Sequence, residues 1–278
     1  MLIHSDWHIH SDASYDSTLP LSEIIENAKR FGFRKIGIAD HLNFNDEKFI
    51  GCLRTSAKNV KALQNECPNL VLGVELTPIE KPLFDYIQKH GTRDGYVAPQ
   101  LPEPYAIMLG MTKEELMELG VRYAVGAAHW RVDGPRDPQA GQELNSELKE
   151  WHRQQLYLAC DERVTILGHP WFHGHRIWYA DFSLIPHSMN LELGAALKEN
   201  GKFVECNTDF FRIPETGEKF RNQYAEFLRE LFEMGIPVTY GSDAHNSYPD
   251  KHTDTEPYLA AAGFVDGDFA ELTEDDLW

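Results

Sequence analysis

The chain is short of cysteine, of long apolar runs and of positive charge. Its four cysteines, Cys52, Cys67, Cys160 and Cys206, stand far apart with no C-x-x-C pair, which argues against both a disulfide framework and a thiolate zinc site. A reducing, cytoplasmic setting fits that usage. No stretch stays apolar for the roughly 18 residues that a membrane helix needs, and the N-terminus lacks a basic region followed by an apolar one. No membrane partner and no export are therefore expected. With 26 Lys and Arg against 44 Asp and Glu, the formal charge is −18 and no basic run is present, so a nucleic-acid polymer, which is held through clustered Lys and Arg, is not an expected partner. Bound cations would make one local site far less negative than that average.

What is present is a core and a pattern. A hydrophobic fraction of 42% and six tryptophans are ample for burial, and 278 residues suit one α/β domain of barrel size. Seven apolar runs of β type recur: "LIHSDWH", "KIGIAD", "LVLGVE", "YAVGAAH", "VTILGHP", "FVECN" and "PVTYGSDAH". Between them lie amphipathic segments at 21–31, 46–67, 143–160, 189–200 and 219–234, several of which stop at a glycine, Gly32, Gly201 or Gly235, as helix C-caps do. Strand and helix alternate as in parallel βα units. The interval 78–120 breaks the rhythm, with prolines at 78, 82, 99, 102 and 104 and a short helical stretch, "TKEELMELG". It reads as an elaboration near the mouth, either a lid or a surface insertion. After about residue 254 one last helix and a loose tail are expected.

The chemistry sits where the strands end. In "DWHIHS", alternation turns Asp6, His8 and His10 to one face and Trp7 and Ile9 to the other, so two imidazoles converge and Asp6 could hold a ring N–H from behind. His4 shares that face but lies deeper, suiting the barrel interior. The later runs end in Asp40 and His41, Glu75, His129, His169, Asn207, and Asp243 and His245. In a βα barrel the C-terminal strand ends ring one mouth, so these residues, remote in sequence, would meet at a shared metal site.

Six of these segments, "DWHIHS", "IADH", "GVE", "AAH", "GHP" and "GSDAH", stand in the order in which they occur in the polymerase and histidinol phosphatase (PHP) metallohydrolases. The chain resembles that family from Asp6 to His245. The resemblance implies a distorted (β/α)7 TIM-like barrel with two or three divalent ions, zinc, manganese or iron. It would give His8, His10, Glu75 and Asp243 to one ion. Glu75 would bridge to a second, bound also by His129 and His169, and Asp16, His41 and His245 would hold a third, with Asp12 competing for the place of Asp16. Asp6, Asp40 and Asn207 would support these ligands.

His and carboxylate ligands suit such metals, and a carboxylate can bridge two cations. Paired cations make a metal-bound hydroxide near neutral pH and stabilise charge on a phosphoryl group, so hydrolysis of a small phosphomonoester is expected, without a Ser or Cys nucleophile. Glu75, Asp243 and His245 are the expected catalytic ligands. The group that protonates the leaving alkoxide is left open between a ligand His or Asp and a water. Arg212, in "NTDFFR", could grip the phosphate with its guanidinium fork or be a plain surface arginine; Arg131 is a lesser candidate, and Arg176 a lesser one still. His173 and His175 read first as solvated loop residues. A basic residue shortly after Asn and Thr resembles the histidinol phosphatase branch, which makes histidinol phosphate the first substrate expected. Esters of nucleotides or phosphotyrosine are alternatives within the family. Outside it stand an amidohydrolase-like hydrolase, which also uses H-x-H on a first strand, and a metal-binding module without activity.

Overall fold

Seven extended segments frame the molecule, each at one of the seven apolar runs. The computed structural model describes residues 2–44, 47–80, 85, 89, 107–108, 110–129, 141–171, 181–214 and 216–278. Its strands are β1 (Ser5–Ile9), β2 (Lys35–Ile38), β3 (His41–Leu42), β4 (Leu70–Leu72), β5 (Val74–Leu76), β6 (Ile79–Glu80), β7 (Ile107–Met108), β8 (Ala124–Gly126), β9 (Ile166–Leu167), β10 (Phe203–Asn207) and β11 (Val238–Gly241). Parallel pairing runs β1-β2-β4 in one sheet and β11-β10-β9-β8-β5-β3 in the other. Ala39 and Asp40 interrupt one strand between β2 and β3, and Gly73 interrupts the next between β4 and β5. Gly73 N to Ile38 O at 2.7 Å and Glu75 N to Asp40 O at 3.1 Å carry the pairing across both breaks. The ring comes together where Asp243 N donates to His8 O at 2.8 Å and His10 N to Ala244 O at 3.0 Å, by bridge pairs rather than a regular ladder. This is an α/β, TIM-like arrangement, distorted at its seam.

Helices lie between the strands. They are α1 (Leu21–Phe31), α2 (Glu47–Leu63), α3 (Lys113–Glu118), α4 (Gly141–Cys160), α5 (His187–Glu199), α6 (Asp209–Arg212), α7 (Glu218–Glu233), α8 (Lys251–Asp254) and α9 (Glu256–Ala261). In α1 the residues Leu21, Ile24, Ala28 and Phe31 recur at helical spacing and are all buried, so one stripe meets the sheet. Each large side chain so placed contributes about 1.5–3 kcal/mol relative to exposure. Gly32 ends α1 with φ 69°, a left-handed turn that a Cβ would oppose, and its N–H closes onto Ala28 O and Lys29 O. Among the described residues no helix is long and apolar enough to cross a membrane. Of the interval 78–120, the described parts are the antiparallel pair β6 and β7, and α3, which starts in a capping box between Thr112 and Glu115.

A small cluster of Trp7, Ala39, Val71, Tyr123, Val125, Ile166, Phe203 and Leu272 draws on six neighbouring strands and so fills the barrel's interior below the mouth. Strict alternation would have put Trp7 with Ile9. Instead Trp7 packs on Tyr123 at 5.4 Å while Ile9 lies in the main core, because the β1–β2 register shifts between Asp6 and Ile9. The C-terminal tail differs from the loose end expected. Leu272 is buried in this cluster, Ala270 N donates to Val238 O at 2.8 Å, and Trp278 N donates to Arg122 O at 2.7 Å. The tail thus runs beneath the N-terminal strand ends, tied by backbone bonds and apolar burial. His4 is also outside the interior role expected of it: it is half-buried and pairs with Asp266 of the tail at 2.6 Å.

Candidate metal centre

The C-terminal strand ends bring Asp16, His8, His10, His41, Glu75, His129, His169, Asp243 and His245 into one cluster, with Glu75 at its middle. Glu75 is fully buried, and β5 holds it opposite His41 of β3 in the parallel register. Its Oε1 lies 3.1 Å from His129 Nε2 and 3.1 Å from His169 Nε2. Its Oε2 lies 2.7 Å from His41 Nδ1 and 3.4 Å from both His8 Nε2 and His10 Nε2. Asp243 Oδ1 is 3.1 Å from His10 Nε2, and Asp16 Oδ2 is 3.1 Å from His41 Nε2 and 3.6 Å from His245 Nε2.

Several of these contacts are not hydrogen bonds. His41 Nδ1 and Glu75 Oε2, though close, lack hydrogen-bond geometry, and His10 Nδ1 is a further buried nitrogen without a bonding partner. His8 Nδ1 contacts Glu205 at 2.7 Å and, in the neutral ring, carries the proton, which leaves the His8 Nε2 lone pair facing His10 Nε2 at 3.1 Å. Two imidazole nitrogens and two carboxylates aimed at a common point suit a cation. Among the described residues three candidate ligand sets emerge with donor atoms within 4.8 Å of one another: His8, His10 and Asp243; His41, Glu75 and His129; and His10, Asp16, His41 and His245. His and carboxylate donors fit zinc, manganese or iron. Each set can hold a divalent ion.

The protonation pattern of the metal-free cluster follows from that crowding. Burial opposes charge on His8, but Glu205, Glu75 and Asp243 raise its pKa well above the ordinary value, and Glu75 and Asp16 likewise push His41 up to about 10 against burial. His10 falls to about 3, through burial and then the neighbouring His245 and His41. Burial works against charge on Glu75, yet His41, His129 and His8 hold it well below the usual carboxylate range.

The backbone is strained at the same place. Three non-glycine residues among those described have positive φ, His169 at 24°, Trp171 at 68° and Asp243 at 52°, and two of them carry candidate ligands. His169 is held by its N–H on Glu205 Oε2 at 2.6 Å, Asp243 by its N–H on His8 O.

The supporting residues behave differently from one another. Asn207 Nδ2 donates to Asp243 Oδ2 at 3.2 Å, and Asp40 binds Ser11 N at 2.6 Å and Ser11 Oγ at 2.7 Å, pinning the loop after β1. Asp6 does not hold an imidazole. It accepts from His8 N at 3.2 Å, Ser242 N at 3.0 Å and the Tyr248 hydroxyl, so it ties β1 to the turn before Asp243. The carboxylate that takes the His8 ring N–H is Glu205, a residue that sequence reading passed over inside "FVECN". An acidic residue two before Asn207, on the same strand face, was the available signal. Gly241 makes room for it, since a Cβ there would lie 1.7 Å from Glu205 Oε1.

Arg212 ends the single-turn helix α6 just after β10. It is exposed, and its guanidinium lies 3.7 Å from Asp209 Oδ1. Asp209 was also missed; burial and then the charge of Asp243 push its carboxyl up to about 6, against the pull of Arg212, His245 and His169. Asp12, the competitor of Asp16, is exposed and in none of the three ligand sets. Arg131, His173, His175 and Arg176 lie outside the described residues.

Known proteins supply the comparison. No curated protein matches the sequence. Among solved structures, histidinol phosphate phosphatase from Lactococcus lactis subsp. lactis, complexed with zinc, L-histidinol and phosphate, aligns with TM-score 0.66 over 100% of this chain and 99% of its own, at 17% identity. A 5-methylcytosine deaminase from Klebsiella pneumoniae liganded with 5-fluorocytosine aligns with TM-score 0.41 over 96% of this chain and 70% of its own, at 13% identity. The PHP domain family matches residues 6–209, which take in every strand that carries a candidate ligand but the last. By that match the chain belongs to the PHP-domain family of metal-dependent phosphoesterases.

Proposed function

We propose that this phosphoesterase hydrolyses a small phosphomonoester, with histidinol phosphate as its leading substrate, at a centre of two or three divalent ions. The carrying observation is the convergence of all three ligand sets around Glu75 and His10, with Arg212 on the next element of the same barrel end. Residues His8, His10, Glu75 and Asp243 would hold one ion, Glu75, His129 and His169 a second, and Asp16, His41 and His245 a third. His10 and His41 lie within reach of more than one set, so these sites share walls. Bound ions would supply Lewis-acid stabilisation of phosphoryl charge and an acidified water near neutral pH.

The chain's own residues do the rest. His245 Nδ1 lies 2.7 Å from the Asp243 carbonyl oxygen, which can only accept, so its proton is on Nδ1 and Nε2 faces the site. Glu205 sets His8 the same way round. Arg212 offers a planar two-pronged donor for phosphate oxygens, with Asp209 beside it to hold its direction. Likeness over the full chain to a phosphatase crystallised with L-histidinol and phosphate supports the choice of substrate.

The test is phosphate release from histidinol phosphate beside nucleoside monophosphates, phosphotyrosine and sugar phosphates. A kcat/KM for histidinol phosphate at least about a hundredfold above the others, roughly 2.7 kcal/mol of discrimination, is expected. Preference for another ester would remove this substrate and keep the chemistry.

A further inference from the structure

We propose that Thr77 and Asn43 are positioning residues, which fix His129 in the ring tautomer that can bind a divalent ion and tie it to the loop carrying Asp16. The inference rests on the reading of His129 as a ligand. Thr77 follows Glu75 by two residues and Asn43 follows His41 by two, so the paired strands that present the two ligands also present this pair one step further on. Both are buried, at 0% and 1% exposure, where no water can replace a lost partner.

Proton counting gives the relay a direction. Thr77 Oγ1 donates its single proton to Asn43 Oδ1 at 2.6 Å. Its contact with His129 Nδ1 at 2.8 Å can then only be one in which the ring donates. With the proton on Nδ1, His129 Nε2 keeps its lone pair, and that nitrogen is the one facing Glu75 Oε1 at 3.1 Å. The opposite polarity would put the proton on Nε2 and block the ligand. At the outer end Asn43 Nδ2 donates to the Tyr15 hydroxyl at 3.2 Å, and Tyr15 precedes Asp16. Tyr15 also lies 5.5 Å, ring to ring, from His41. The relay therefore joins a ligand of one candidate ion to the loop that carries a ligand of another.

Two variants isolate the hydroxyl: Thr77→Val keeps shape and removes it, and Thr77→Ser restores it. Nitrogen-15 NMR of the imidazoles in metal-free protein is expected to show His129 Nδ1 protonated in the parent and in Thr77→Ser, and that proton lost from Nδ1, wholly or in part, in Thr77→Val. Titration with zinc against a competing chelator is expected to show one site weakened by roughly 10- to 100-fold in Thr77→Val and recovered in Thr77→Ser. Should Thr77→Val not fold, Asn43→Leu frees the Thr77 proton to turn toward His129 and is expected to give the same tautomer shift. An unprotonated Nδ1 in the parent, or unchanged Nδ1 protonation and affinity in the folded variants, would overturn the proposal. A parent that binds no zinc would overturn the metal reading instead, while the tautomer measurement still decides the direction of the relay.

Discussion

Glu75 concentrates the chemistry of the site in one side chain. Five imidazoles lie within 3.4 Å of its two oxygens; against burial, its charge is the first to raise the pKa of His41 and, after Glu205, adds to raising that of His8. Glu75→Gln halves the available donors and removes that charge. The variant is expected to fold, to lose at least one ion per chain, and to lose activity by at least about a hundredfold, the scale of deleting one transition-state stabiliser. Undiminished metal content by elemental analysis would refute its bridging place. The raised His41 fixes a second expectation. A histidine whose folded pKa exceeds 6.5 adds stability that is complete below 6.5 and is lost as pH rises through about 10. Metal must displace that proton, so binding should release protons and tighten from pH 6 to pH 8.5, as calorimetry in buffers of different ionisation enthalpy would show. Affinity independent of pH over that range would contradict it.

At the scale of elements, much was legible in the sequence and for identifiable reasons. Apolar runs bounded by polar ends marked all seven strand positions, and glycine stops placed the ends of α1, α5 and α7 to within a residue or two. The candidate ligands could be picked out because they are polar residues at the ends of apolar runs, and most of them are buried where a polar side chain is costly without a partner. Glu205 escaped because it lies mid-strand, where alternation alone does not distinguish a hidden carboxylate from an exposed one. The register shift in β1 escaped because a bulge leaves no compositional trace when the residues are Trp and His. The tail was misjudged because "FAELTEDDLW" is acidic enough to look solvated, while its few apolar residues carry the contact. Leu272→Ala should cost about 2–5 kcal/mol in chemical denaturation and leave the metal count unchanged, since it opens a cavity at the end of the barrel opposite the mouth. A cost under about 0.5 kcal/mol would mean the tail does not plug the barrel.

For the whole molecule, a net charge of −18 and a candidate site that gathers Glu75, Asp243 and Asp16 set a requirement: an anionic ester can approach only where bound cations reverse the local sign. Metal binding, folding and substrate access are then linked, and ions that bind the native state alone raise its stability by RT ln(1 + [L]/Kd), with [L] the free ion concentration. Elemental analysis of protein purified without chelator, paired with phosphate release from histidinol phosphate before chelation, after it and after readdition of zinc, manganese or iron, tests this most directly. Two or three ions per chain, activity lost with them and regained with them, is the expected result. A chain that holds no ion under any of these conditions, or that releases phosphate equally well without one, would contradict a metal-dependent phosphatase.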